Sequence, residues 1–348
     1  MPGPPSTLDA RAIQPLLQRW ARAVVRPDAR VEAVRPMPGN SGLSFGFTAV
    51  GDAGGEESFV VRLAPPGVRR RGNTDVLRQV PLLRALHEHA VPIAPVRWWT
   101  DDPEWFGTDA LVQEYVPALP LHMTDASLGV RVPEAEVPVL LDRAVDTLVA
   151  IHRVPVESLS GWEAPRSIDT ELAFWDDVLR SADDADWLAA GRDLRAHLAD
   201  AAPAGPRTGL FHGDYQTNNV LFDERAQVAA VVDWEIAGLG PQWLDLGWLM
   251  MMCDPACWHP SYRGRMRVVA RPRDLLRRYE ATSGARVDQP RWYQALACYR
   301  FGAIAAFNYR LHRTGRRVDE LYAAMAPSVG ALFERGVHLL REPDGQVD

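Results

Sequence analysis

The run Phe211-His212-Gly213-Asp214-Tyr215-Gln216-Thr217-Asn218-Asn219, followed later by Asp233-Trp234-Glu235, constrains this chain more than any other stretch. It offers an acid, an amide five positions on, and a second acid fourteen positions beyond that. Short apolar runs frame these groups: Thr208 to Phe211, Val220 to Phe222 and Val228 to Val232 read as strands. A polar loop therefore links one strand to a strand pair, and the second acid falls at the far end of that pair. A lone Asp in a turn is ordinarily a cap or an Asx-turn. Three polar positions at fixed spacing on such a frame ask for a chemical reason.

Transfer of a phosphoryl group from a nucleotide supplies one. A carboxylate orients the acceptor hydroxyl and takes its proton, while an amide oxygen and a second carboxylate hold the magnesium that neutralises the triphosphate. The pattern His212-Gly213-Asp214-x-x-x-x-Asn219, with Asp233-x-Glu235 downstream, resembles the aminoglycoside phosphotransferase and choline kinase-like family, small-molecule relatives of the protein kinases. The resemblance extends over nearly the whole chain, and its specific part is residues 211–248. That part looks most like bacterial members, including kinase-like domains fused to acyl-CoA dehydrogenases. It implies an α+β, bilobal protein-kinase-like fold, with a small β-rich N-terminal lobe at 1–116 and a larger, mainly helical C-terminal lobe at 117–348. It also implies an ATP- and Mg2+-dependent kinase for a hydroxyl of a small molecule, and does not separate ATP from GTP.

Composition narrows the setting. With 348 residues there is enough chain for a substantial core, and 47% apolar with 24% charged content is ordinary for a globular protein. A net charge of -7 argues against nucleic acid as a main partner, which needs a basic face. The chain has no lysine, so all 38 basic residues are arginine, and any task a kinase gives to lysine falls to arginine. Three cysteines, Cys253, Cys257 and Cys298, fit a reducing cytoplasm, and with His259 they do not make a zinc pattern. The start carries no signal-peptide pattern, and no run reaches the ~18 apolar residues of a membrane span. A cytoplasmic protein is expected.

Periodicity predicts a helix over 8–25, with Pro15 a mark against its regularity. Strands are predicted at 31–36, 43–50, 58–63, 95–100 and 108–116, and a helix at 74–90 that Thr74 would cap. Beyond residue 118 helices are predicted at 134–153, 169–182, 184–201, 241–252, 272–284, 289–313 and 318–341, interrupted by the strand-rich patch at 208–235.

In the small lobe, Pro38 to Phe45 holds two glycines and small hydroxyls, so Ser41 and Gly42 are candidates for a phosphate flap. Arg62 interrupts the apolar strand Phe59 to Leu63 and needs a partner, which a phosphate would provide. The resemblance aligns Arg78 to Leu86 with a segment that carries a glutamate where this chain has Gln79. An amide can still bond a guanidinium but gives up the ion pair. By the same resemblance Leu111 to Pro117 is the hinge, with backbone groups around Glu114 and Val116 meeting the purine.

For the chemistry, the resemblance makes Asp214 the catalytic base and gives magnesium to Asn219 and Asp233, with Glu235 assisting through water. His212 and Asp245 are implied to be structural, Asp245 bracing the backbone of the catalytic loop. On the predicted helix 289–313, Arg300, Ile304, Asn308 and His312 lie four apart on one face. Arg300 and Asn308 are therefore acceptor-pocket candidates, against a solvated stripe. Trp175, Trp258 and Trp292 read as core or as aromatic walls. The basic loop Arg69-Arg70-Arg71, if it points at the cleft, would favour an anionic acceptor. A metabolic kinase for a hydroxylated metabolite such as a hydroxyacyl thioester is the first reading. The alternatives are an aminoglycoside-type antibiotic phosphotransferase, with Asp183, Asp184 and Asp186 as its acidic pocket, and a nucleotide-binding pseudoenzyme, for which Gln79 and the missing lysine speak.

Overall fold

The computed structural model describes residues 9–37, 43–65 and 74–342. Ser41 and Gly42, and the loop with Arg69, Arg70 and Arg71, lie outside the described residues. The chain divides into two compact units, Met1–Pro117 and Ala118–Asp348.

The first unit is a sheet with two flanking helices and one short helical turn. Helix α1 (Ala10–Val24) starts where the Asp9 carboxylate accepts the N–H groups of Arg11 and Ala12 at 2.9 and 2.8 Å. It runs through Pro15 because the single lost backbone bond is offset by Ile13, Leu17, Trp20 and Ala21, all fully buried. Strands β1 (Arg30–Pro36), β2 (Leu43–Val50), β3 (Glu56–Leu63), β4 (Val96–Thr100) and β5 (Ala110–Glu114) form one antiparallel sheet in the order β1-β2-β3-β5-β4. Trp20 meets Phe47 and Phe59 edge-on at 5.6 and 5.3 Å, which pins α1 to the sheet. Between β3 and β4 lies α2 (Gln79–Glu88), and α3 (Pro103–Phe106) is one turn before β5.

Helix α2 is shorter than the predicted 74–90. The Asp75 carboxylate takes the Arg78 N–H at 3.1 Å, closing a turn ahead of the helix, so Thr74 does not cap it. At the other end Ala90 sits at φ +55°, outside helical space, and stops it.

The second unit is mostly helical. After β6 (Leu119–Pro120) come α4 (Val137–His152), α5 (Ile168–Leu179) and α6 (Ala185–Asp200). Four short strands follow: β7 (Thr208–Phe211), β8 (Val220–Phe222), β9 (Val228–Val231) and β10 (Gly238–Pro241). Helices α7 (Leu244–Cys253), α8 (Pro260–Arg263), α9 (Pro272–Ser283), α10 (Pro290–Arg313), α11 (Glu320–Met325) and α12 (Ser328–Arg341) complete it. The strands make two small antiparallel sheets, β10-β7 and β6-β8-β9. Every residue of α7 is buried. It lies so close to α10 that a Cβ at Gly247 would come 2.2 Å from the Tyr293 carbonyl oxygen. The predicted helix 318–341 is two helices, broken at Ala326-Pro327, where proline cannot donate to the preceding turn. Strand β10 is absent from the predicted elements, because Gly-Leu-Gly-Pro reads as a loop until it finds β7 beside it.

The fold is thus α+β, with the sheet first and the helices after it. The cysteines are buried and free. Among the described residues no helix is long and apolar enough to cross a membrane.

Candidate active site

The strands of the second unit fix where the polar loop can go. β7 ends at Phe211, clamped by the pairs Gly238–Phe211 and Leu239–Leu210. β8 and β9 pair from Val220–Val231 onward, and the Val232 N–H extends the ladder to the Asn219 carbonyl at 2.9 Å. Asn219 and Val232 are therefore cross-strand neighbours, and Asp233 is the next residue along. Asp233 adopts a left-handed conformation, φ +68° and ψ +55°. Its carboxylate accepts no hydrogen bond among the described residues.

Asp214 sits on the loop between. Its Oδ1 accepts from Gln216 Nε2 at 2.7 Å and its Oδ2 from Asn219 Nδ2 at 3.0 Å. Asn219 Nδ2 also donates to the Asp214 carbonyl at 2.9 Å. The amide hydrogens of Asn219 are spent on Asp214, which leaves Oδ1 as its open atom. Burial, and then the charge of Asp233, raise the Asp214 carboxyl to about 7, against the opposing bonds from Asn219 and Gln216. A carboxylate without a donor, an amide oxygen without a partner and a carboxyl raised by a neighbouring negative charge fit a cation. Among the described residues no group of three or more His, Cys, Asp or Glu is arranged to hold a metal. Magnesium needs only one or two protein oxygens when phosphates and water complete its sphere.

The raised carboxyl makes a testable difference in the metal-free protein. The folded form binds the proton between the ordinary 3.8 and about 7, so this group's contribution to stability is greatest at low pH. It is lost as pH rises through about 7. Asp214→Asn, neutral throughout, is expected to melt about 2–4 °C above wild type at pH 8 and by less than half as much at pH 5, solvent screening having limited the gain. Equal shifts at both pH values would show that Asp214 is not held in this way.

Beneath the loop, Asp245 on the first turn of α7 is fully buried. Its Oδ2 accepts the His212 N–H at 2.6 Å and its Oδ1 the Gly213 N–H at 2.7 Å. His152, from the end of α4, approaches Oδ2 at 3.4 Å and bonds Tyr279 on its other side at 2.8 Å. The His212 ring is neutral by construction. Nε2–H donates to the Val232 carbonyl at 2.9 Å, while Nδ1 accepts the Asp214 N–H at 3.2 Å. Complete burial pushes its pKa down despite the nearby Asp245. His212 thus ties the backbone before Asp233 to the backbone of Asp214. Gly213 has φ +91°, and a Cβ there would lie 2.6 Å from the Ile236 carbonyl oxygen. Glu235 is buried on the short turn that follows Asp233.

Arg300 is not on a solvated or pocket-facing stripe. It is 1% exposed, because the first two-thirds of α10 are core. Its Nη2 donates to the Gly213 carbonyl at 2.9 Å, and its Nε lies 3.4 Å from Glu171 Oε1 on α5. The rings of Trp175 and Trp248 flank the guanidinium at 5.0 Å each. Asn308, further along and half-buried, is tied to its own helix: Nδ2 donates to the Ile304 carbonyl at 2.9 Å, and Oδ1 accepts from Arg317 at 3.4 Å. His312 accepts the Asp319 N–H at 3.0 Å. Trp258 and Trp292 are core. Glu171, His152 and Trp248 escape sequence reasoning, since nothing local marks them; Arg300 and Gly213 are 87 positions apart.

In the first unit, Arg62 Nη1 donates to Gln79 Oε1 at 3.4 Å, and Gln79 is 1% exposed. At the end of β5 the Glu114 N–H is taken by the Pro95 carbonyl at 2.9 Å, and the Tyr115 N–H by the Ser58 carbonyl at 2.9 Å. Pro95 has no N–H to return, so the Glu114 carbonyl goes unanswered on that side. Val116 lies past the strand, and its N–H meets no backbone acceptor among the described residues.

The sequence matches the model of the phosphotransferase enzyme family over residues 37–279. The chain belongs to that family. A curated relative, acyl-CoA dehydrogenase family member 10 of Mus musculus, is 26% identical over 294 residues, covering 80% of this chain and 26% of the relative. This family member thus spans about a quarter of that relative's length. A solved Ralstonia eutropha structure assigned to the aminoglycoside phosphotransferases superposes with a TM-score of 0.74 at 20% identity, over 93% of this chain and 98% of that one. An amicoumacin kinase solved with AMP-PNP and Ca2+ gives 0.56 at 14% identity, over 87% and 88%. At these identities the structures show the protein-kinase-like fold.

Proposed function

We propose that this phosphotransferase moves the γ-phosphoryl group of ATP to a hydroxyl of a small molecule, with Asp214 as base. The observation that carries the reading is the joint placement of Asp214, Asn219 and Asp233 on one loop and hairpin end. Asp214 accepts the hydroxyl proton as the acceptor oxygen bonds to phosphorus and the bond from phosphorus to the ADP oxygen breaks. The proton then leaves to water. Asn219 Oδ1 and the Asp233 carboxylate would hold Mg2+, which when bound offsets the charge of the phosphates. The amicoumacin kinase, solved with a nucleotide analogue and a divalent ion, supports that cofactor pair by fold analogy.

In the first unit, the Glu114 carbonyl and Val116 N–H are the purine contacts in this reading, and Arg62, held by Gln79, is the phosphate cation. Arg62→Ala is expected to raise the KM for ATP at least about tenfold, the scale of a lost charged hydrogen bond. Replacing Arg69, Arg70 or Arg71 should change it far less. An unchanged ATP affinity in Arg62→Ala would remove Arg62 from the site and favour the pseudoenzyme reading.

A polycationic acceptor is disfavoured by two of its three candidate carboxylates. Asp183 is paired with Arg313, and Asp184 caps α6 by accepting the Trp187 N–H at 3.0 Å. The deciding experiment supplies labelled ATP and Mg2+ with aminoglycosides in one arm and hydroxyacyl thioesters in the other. Transfer to the second class alone is expected. Transfer to aminoglycosides alone would reverse the assignment, and no ATP turnover with any acceptor would support the pseudoenzyme.

A further inference from the structure

Arg300 is a costly residue to bury. Its Nε and Nη1 and the Glu171 Oε2 have no hydrogen-bond partner, although Glu171 also lies 3.5 Å from Arg166 Nη1. A buried ion pair with gaps of this kind is weak support for a fold, and an apolar side chain of similar volume would pack as well. What the guanidinium does reach is one peptide group, the one that joins Gly213 to Asp214. Its carbonyl accepts from Arg300 at 2.9 Å and its N–H donates to His212 at 3.2 Å. The peptide before it gives its N–H to Asp245. Gly213, with φ +91°, would otherwise be the freest point of the loop.

We propose that Arg300 is a positioning residue for Asp214, clamping the Gly213–Asp214 peptide from within the helical core. Two features aim the clamp. The Glu171 carboxylate attracts the guanidinium as its ion-pair partner, 3.4 Å from Nε without a hydrogen bond, and is itself fixed by the Trp175 indole N–H at 2.8 Å. The rings of Trp175 and Trp248 each lie 5.0 Å from the guanidinium carbon, contacts that a flat guanidinium makes better than the compact ammonium of lysine. The chain Trp175–Glu171–Arg300–Gly213 thus carries the rigidity of α5, α7 and α10 to the backbone of the proposed base. The kinetic part of this inference rests on the phosphotransfer reading; the structural part does not.

The test compares Arg300→Met, Arg300→Lys and Glu171→Gln in the full chain. Three quantities are measured: kcat and KM for ATP, melting temperature, and hydrogen–deuterium exchange of the segment 211–219. In folded Arg300→Met, kcat is expected to fall on the order of 100-fold, the scale of a misplaced reacting group, with KM within about threefold of wild type. Arg300→Lys should recover part of kcat, and Glu171→Gln should lose less than Arg300→Met in the same direction. Exchange in 211–219 should quicken in both Arg300→Met and Glu171→Gln beyond what their melting temperatures explain. If Arg300→Met does not fold, Glu171→Gln decides on the same readouts. Unchanged kcat and unchanged loop exchange in a folded variant would overturn the proposal, as would losses that only track the folded fraction. Should wild type transfer no phosphoryl group, the phosphotransfer reading fails, and the exchange data alone decide whether Arg300 fixes the loop.

Discussion

Asp214→Ala is expected to lower phosphoryl transfer at least about 100-fold, the usual scale for a positioned acid or base, while ATP still binds within a few-fold of wild type. The asymmetry follows from where the carboxylate sits. Asp214 is tied to Gln216 and Asn219 and stands beside Asp233, whose charge helps to raise it to about 7. A carboxyl poised there can take a hydroxyl proton near neutrality, and the nucleotide contacts proposed for Arg62, Glu114 and Val116 do not depend on it. Transfer within tenfold of wild type would sink the assignment. The single-turnover rate with saturating ATP is the cleanest measurement, because it separates chemistry from binding.

Asp245→Ala is expected to be the most destabilising single change in the second unit. It strands the N–H groups of His212 and Gly213 in a fully buried place and removes a neighbour of His152. Each buried donor left without a partner costs about 1–3 kcal/mol, so the loss should be about 2–6 kcal/mol, a fall in Tm on the order of 10 °C. Asp245→Asn should be milder, since one oxygen can still accept one of the two N–H groups. A Tm for Asp245→Ala within about 2 °C of wild type would mean that water replaces the carboxylate, and that Asp245 is not the brace of this loop.

Much of this architecture is legible in the amino-acid sequence. Strands β2 and β3 are readable from alternating apolar positions, and the helices of the second unit from their period, because a half-buried face leaves its mark on local sequence. Asp214, Asn219 and Asp233 stand out because their spacing falls within one short stretch. Where sequence and structure part, one cause recurs: a partner that local pattern does not reveal. Arg300 reads as part of a polar helical face because Asn308 and His312 follow it on the same side of the helix, yet its own stretch of α10 is enclosed by Trp175, Trp248 and the loop that carries Asp214. Thr74 reads as a cap, yet Asp75 forms a turn ahead of the helix.

By itself the sequence determined the order of the longer strands and helices, though not β6, β10 or the break between α11 and α12, and the chemical groups gathered between β7 and β10. Those depend on periodicity, on turn residues and on contacts between residues close along the chain. The tertiary structure alone decided what each polar group faces: Asp245 under His212 and Gly213, Arg300 on the Gly213 carbonyl, and Pro95 leaving the Glu114 carbonyl unanswered. A buried charge looks the same in sequence whether it meets solvent, substrate or a backbone carbonyl. Its partner is chosen by packing between segments distant in the chain, and packing leaves no local periodicity to read.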